Sequence, residues 1–189
     1  DAALADFDKA LQIDPTSAYA LAERGWTKDM LYKDREALKD YNAAITYAEP
    51  NAWIYLQRGR MYHAIGDSVK AKTDFEQALQ LDTVSSTQAF ALFYLGNTDQ
   101  AIAFMSAIIA ENPEDAGEYY NLACLYALAN KKQESVDALK VAIELGYKSY
   151  NHIRLDRDLT NIREEQAYQD ILNKITKSKI SKMFEEIGR

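Results

Sequence analysis

Very few side chains in this sequence are suited to covalent chemistry. It holds one cysteine, Cys124, and two histidines, His63 and His152, which are its nucleophile–base candidates. Cys124 sits in "NLACLYAL", in mid-helix by its apolar spacing and without a catalytic motif around it. It reads as a small, buried packing thiol. A single cysteine forms no intramolecular disulfide and builds no cysteine-based zinc site. The adjacent carboxylates Glu164-Glu165 and Glu185-Glu186 read as solvated helix faces or helix starts. The sequence contains neither a glycine-rich phosphate loop nor a His-Glu-x-x-His pair. The expectation is therefore a chain that is not an enzyme and takes no cofactor and no metal. Arg60 and His63 lie one helical turn apart. They are placed to meet a ligand carboxylate, or an internal one from Glu23 or Asp29.

The elements that carry these residues are helical. The chain has only three prolines and seven glycines, and its apolar residues fall at helical spacing. In "AKTDFEQALQLD", Ala71, Phe75, Ala78 and Leu79 share one stripe. Lys70, Lys72, Asp74, Glu76 and Gln77 take the other side. Upstream, "WIYLQRGRMYHAIGD" puts Tyr55, Arg58, Gly59 and Tyr62 on one stripe of a second helix. Gly66 is the expected stop, and Asp67 or Ser68 caps the next helix. Two helices and a short turn make one hairpin.

The hairpin recurs. "ALADFDKALQID" at Ala3, "ALKDYNAAITYA" at Ala37 and "AKTDFEQALQLD" at Ala71 start 34 residues apart. One copy runs Leu21, Arg24, Gly25, Lys28, Ala37, Tyr41, Ala44; the next runs Tyr55, Arg58, Gly59, Tyr62, Gly66, Ala71, Phe75, Ala78. Two weaker copies follow, with Ala89, Gly96, Ala101, Met105 and Ile108, then Tyr119, Leu122, Ala123, Tyr126, Ser135, Leu139 and Ala142. Ala101 follows Ala71 by only 30 residues, so the fourth copy has a shortened first helix or connection. This order of small and aromatic residues resembles the tetratricopeptide repeat. The resemblance implies an all-α, right-handed superhelical solenoid over residues 1–147: a half repeat at 1–15, then hairpins at 18–51, 52–82, 83–115 and 116–147. Small residues let two backbones approach, aromatics fill the gaps, and copies must stack because one hairpin cannot bury its own face.

The ends differ. Residues 1–15 match only the second helix of a repeat, so its partner helix would precede Asp1 and the chain reads as a fragment. Leu4, Phe7 and Leu11 would lack cover, which invites a homodimer through that end. Residues 148–189 leave the repeat and read as C-terminal capping helices. They resemble the segment that closes many bacterial arrays of this family, with Asp156, Asp158, Leu159, Ile162 and Arg163 matching. Arg157 and Gln166-Ala167-Tyr168 depart from the usual prolines. Leu159, Ile162, Tyr168, Ile171 and Leu172 are expected to cover the last hairpin. The tail keeps helical spacing at Ile175, Ile180, Met183 and Ile187.

The resemblance also implies where a partner would bind. First helices line the concave side of such an array, and register points Tyr19, Glu23, Trp26, Asp29 and Met30 inward from the second copy. The third copy offers Trp53, Gln57, Arg60 and His63, the fourth Phe90 and Phe93, and the fifth Tyr120 and Asn121. Trp is a strong interface anchor, although aromatics here also suit packing between hairpins. The Lys/Asn clamp by which co-chaperone members of the family grip a carboxy terminus does not assemble at either register. Net charge is −7, which argues against nucleic acid, and no apolar run reaches the roughly 20 residues that span a bilayer. The expected partner is a protein or peptide held in an aromatic groove. The alternatives are a regulatory or sensory segment packing on a neighbouring domain of a larger protein, and a self-assembly module. Cysteine usage suits a cytoplasm and suits a disulfide-free periplasmic protein equally.

Overall fold

The computed structural model describes residues 2–187, and side chains as far as residue 177. Among these residues the chain forms eleven α-helices, one 3-10 helix and no strand. Packing divides it into two compact units, residues 1–101 and 102–189.

The first unit contains α1 (Ala2–Ile13), α2 (Ala18–Met30), α3 (Asp34–Tyr47), α4 (Ala52–Ala64), α5 (Ser68–Leu81) and α6 (Ser86–Tyr94). Helix α7 (Thr98–Glu111) begins in it and ends in the second unit. The starts are written locally. Ser17, Asn51, Asp67 and Ser85 cap α2, α4, α5 and α6 by accepting a backbone N–H with the side chain. Of the two expected caps for α5, Asp67 takes the role. Helix α4 ends at Gly66, whose φ of +85° suits a residue without Cβ. Helix α6 has 9 residues where α2 and α4 have 13, so the 30-residue spacing comes from a shortened first helix.

Hairpins α2/α3 and α4/α5 close on a glycine and a ring. Gly25 lies against Tyr41 and Gly59 against Phe75. A Cβ on Gly59 would stand 2.6 Å from the Phe75 ring. Beside each contact lies a buried ion pair. Arg24 donates through Nε and Nη2 to Asp40 at 2.9 and 2.6 Å, and Arg58 donates in the same way to Asp74 at 2.8 and 2.7 Å. The free fork nitrogen reaches back to the preceding second helix, from Arg24 to Asp8 at 2.8 Å and from Arg58 to Asn42 at 3.0 Å. Asp74 is thus buried, contrary to its expected place on the solvated side of α5. The guanidinium satisfies the carboxylate that the helical wheel alone would expose.

The second unit contains α8 (Ala116–Leu128), α9 (Lys132–Glu144), α10 (Tyr150–Leu155), a 3-10 helix (Arg157–Ile162) and α11 (Gln166–Ile187). Helices α8 and α9 form a hairpin, with Ala123 and Leu139 fully buried. The Ser135 hydroxyl donates to the Ala123 carbonyl at 2.7 Å. The 3-10 helix packs on both, burying Leu159 and Ile162, while Tyr168 and Ile171 of α11 are buried and Leu172 half-buried. The side chains of Ile180, Met183 and Ile187 lie outside the described residues.

Candidate functional site

The first helices of the first unit carry most of the expected groove. Tyr19 is exposed at the start of α2. One turn on, Glu23 is half-buried, and desolvation raises its carboxyl above the ordinary range. Trp26 and Trp53 are half-buried and pack against the same core cluster around Tyr41, with Trp53 edge-on to Tyr41 at 6.4 Å. Met30 is also half-buried. A second aromatic group gathers around Tyr94. His63 and Phe93 meet it edge-on at 5.7 and 5.4 Å, Arg60 lies 6.0 Å from its centroid, and Phe75 stacks on it at 4.8 Å. Phe90 packs on the adjoining core. Tyr94 was not among the expected groove residues. Its helical offset from Phe90 was the available signal.

Three expected residues are placed differently. Asp29 and Gln57 are buried, because the inward face of a first helix is also its contact with its neighbours. Gln57 accepts a hydrogen bond from Arg60 at 3.0 Å, so Arg60 is spent on that amide and on the Tyr94 ring. Tyr120 is buried in the second unit. Its ring stacks on Tyr147 at 4.3 Å and its hydroxyl donates to Asp156 at 2.7 Å. Its neighbour Asn121 is half-buried and donates to Glu118.

Asp156 is the centre of that second cluster. Its Oδ2 accepts from Tyr120, lies 3.7 Å from the Cys124 thiol and 3.4 Å from His152 Nε2. Its Oδ1 accepts the Asp158 N–H at 3.0 Å and so caps the 3-10 helix. The other nitrogen of His152 meets the Tyr147 hydroxyl at 2.6 Å. Burial drives the hydroxyls of Tyr120 and Tyr147 well above the ordinary phenol range. One donor atom each from Cys124, Asp156 and Asp158 fall within 4.8 Å of one another, a spacing a metal ion would accept. Both oxygens of Asp156 are however engaged, Oδ2 in fastening the capping segment to α8 and Oδ1 in capping the 3-10 helix. Cys124 is buried there as a packing thiol, and sequence reasoning did not bring His152 to it, because their meeting depends on how the capping segment folds back.

The comparisons agree with this architecture. The tetratricopeptide repeat family matches residues 54–84, which is α4, α5 and their turn. A chloroplast protein of Arabidopsis thaliana is 28% identical over 89 residues, 46% of this chain. The matched stretch spans only 27% of that relative's length. A tetratricopeptide repeat protein of Thermus thermophilus superposes with a TM-score of 0.58 at 19% identity, covering 82% of this chain and 88% of that one. Another from Parabacteroides merdae gives a TM-score of 0.57 at 21% identity, covering 93% and 70%. Such identities speak for the fold alone. With the repeat matched at residues 54–84, the recurring Gly–ring contact and the all-α hairpin architecture, the chain contains a tetratricopeptide repeat in α4 and α5 and has the fold of tetratricopeptide repeat proteins.

Proposed function

We propose that the first unit is a binding module that holds an apolar or amphipathic segment of a partner protein along the aromatic face of α2, α4 and α6. The fold supports a protein-interaction scaffold in general. The observation that carries the finer reading is how little of this aromatic surface the fold consumes. Trp26, Trp53, Phe90 and Phe93 are only half-buried, and Tyr19 and His63 are exposed. Rings with one face on a packed core and one face in water are suited to anchor a segment that brings its own apolar side chains. Glu23 and Arg60 give this face one charge of each sign, Arg60 held in place by Gln57 and the Tyr94 ring, and the pair would bias the segment's direction through their field. Asp29 and Gln57 support this face from beneath. No helix among the described residues is long and apolar enough to cross a membrane.

The test is a peptide-array or phage-display screen against the whole chain, read by tryptophan emission, since Trp26 and Trp53 are the only tryptophans. Selected peptides should share apolar anchors and shift the emission. Tyr19→Ala/Phe93→Ala should weaken them at least about tenfold while circular dichroism stays unchanged. Peptides indifferent to that variant would rule out the face.

A further inference from the structure

The cluster that joins the cap to α8 assembles a second site. Three segments meet there. Helix α8 brings Cys124, α10 brings His152, and the 3-10 helix with the residue before it brings Asp158 and Asp156. Their hub is Oδ2 of Asp156, with Cys124 Sγ 3.7 Å away and His152 Nε2 3.4 Å away. Donor atoms of Cys124, Asp156 and Asp158 all lie within 4.8 Å of one another. Tetrahedral zinc holds sulfur at about 2.3 Å and nitrogen or oxygen at about 2.0–2.1 Å, which sets its ligand atoms roughly 3.3–3.6 Å apart. Both contacts of Oδ2 stand close to that separation. One thiol, one imidazole and two carboxylates make a mixed donor set, unlike a gathering of acids on a surface.

The groups around these donors suit an outer ligand shell. The Tyr147 hydroxyl meets His152 Nδ1 at 2.6 Å, while Nε2 faces Asp156. With Nε2 on a metal, Nδ1 keeps the ring proton and donates to the Tyr147 oxygen. The Tyr120 hydroxyl takes one lone pair of Oδ2, which has two, and the Asp158 N–H takes Oδ1. Oδ2 thus has room for a metal without releasing Tyr120. Cys124 and Asp158 are buried, whereas the side chains of His152 and Asp156 are 24% and 14% exposed, so an ion has a way in on their side. We propose that Cys124, His152, Asp156 and Asp158 bind one divalent transition-metal ion, zinc by its preference for this donor set, at the joint between α8 and the cap. The metal takes the place of the thiol proton, which leaves to solvent, and sulfur binds as thiolate. The ion would tie α8, α10 and the 3-10 helix at one point and fix the segment that covers the last hairpin. No sequence motif announces the site, because Cys124 and Asp156 stand 32 residues apart.

The probe is Co2+ alone, titrated into the whole chain after chelation and dialysis and followed by absorbance. We expect one equivalent to bind, with a thiolate-to-metal charge-transfer band and visible bands of tetrahedral intensity, and Zn2+ to displace it one for one. Cys124→Ser should abolish the charge-transfer band. His152→Gln and Asp156→Asn should each weaken binding at least about tenfold, and Tyr147→Phe, which touches no metal, by about tenfold. Zn2+ should raise the unfolding temperature of the natural chain and leave that of Cys124→Ser unchanged. If Asp156→Asn does not fold by circular dichroism, the band, the proton released with it and the loss of both in Cys124→Ser decide the matter. The proposal is overturned by the absence of a charge-transfer band, or by weak octahedral bands at several equivalents, which mark surface carboxylates. A band that survives Cys124→Ser, or one indifferent to both His152→Gln and Asp156→Asn, overturns it as well.

Discussion

The α4/α5 hairpin of the first unit and the α8/α9 hairpin of the second answer one packing problem in two chemistries. Where α4 has Arg58-Gly59, α8 has Leu122-Ala123; where α5 has Asp74-Phe75, α9 has Ala138-Leu139. The first closes on a forked ion pair and a ring over glycine. The second closes on aliphatic groups, with Ser135 bonded to the Ala123 carbonyl. An ion pair removed from water recovers its desolvation cost only with good geometry, and an apolar replacement of similar volume is commonly as stable. What the pair adds is register. A fork satisfied by one carboxylate fixes how two helices slide, whereas leucine and alanine tolerate a shift.

The sharpest way to break this comparison is to remove half of the pair. Asp74→Ala leaves Arg58 without its buried partner and should cost about 3 kcal/mol. Arg58→Leu/Asp74→Ala, which copies Leu122 and Ala138, should recover most of that. Urea unfolding followed by tryptophan emission reads both, since both tryptophans lie in the first unit. Equal losses in the two variants would mean the pair is not what separates the hairpins.

Glycine comes next. Gly59→Ala places a methyl 2.6 Å from the Phe75 ring, and Gly25→Ala one 3.1 Å from Tyr41. The first should lose about 2 kcal/mol and the second clearly less. Ala123→Gly, the reverse change in α8, should itself lose about 1 kcal/mol through backbone entropy. Thermal unfolding ranks the three.

Smaller effects separate the polar details. Tyr41 takes the place that Phe75 fills in the next hairpin, and its buried hydroxyl has no hydrogen-bond partner among the described residues. Burial lifts that hydroxyl well above the phenol range. Tyr41→Phe should therefore gain about 1 kcal/mol, while Ser135→Ala should lose a similar amount. Calorimetry of the single variants would show the opposite signs.

The slightest difference is in alkaline behaviour. In the second unit burial raises Tyr120 and Tyr147, and raises Tyr168 to about 12. A phenol whose folded value exceeds its unfolded value of about 10 contributes stability in full below that pH. The contribution is lost as pH rises through the folded value. These three should stay unionised in a phenolate absorbance titration until the unit opens, and Tyr147→Phe should lower the amplitude of that late step.

Much of the architecture was legible because its rules are steric. Glycine or alanine at Gly25, Gly59, Ala71 and Ala78 recurs where backbones meet, and no larger residue could replace them quietly. Asp74 was misplaced for the opposite reason: a charged residue on a helix is ordinarily solvated, and only its arginine reverses that. The signal was present, because Arg24 and Asp40, like Arg58 and Asp74, stand sixteen residues apart in both copies. Within the candidate groove, Trp26 and Trp53 were visible as anchor types. Asp29 and Gln57 were read as surface because register fixes the side of a helix, not the depth at which a neighbour covers it. Tyr120 was beyond reach, since its partner Asp156 arrives from 36 residues downstream through a cap whose path no repeat dictates.

The arginine fork has a consequence for how the array assembles. Arg24 and Arg58 each hold a carboxylate of their own hairpin with two nitrogens and a residue of the preceding helix with the third. Folding of repeat arrays is commonly written as a one-dimensional lattice with an intrinsic energy for each repeat and a separate coupling between neighbours. Here a single side chain contributes to both quantities. A mutation at Arg58 should therefore change the nearest-neighbour coupling and the local stability together, and the cooperative length of the first unit's unfolding should shorten with them.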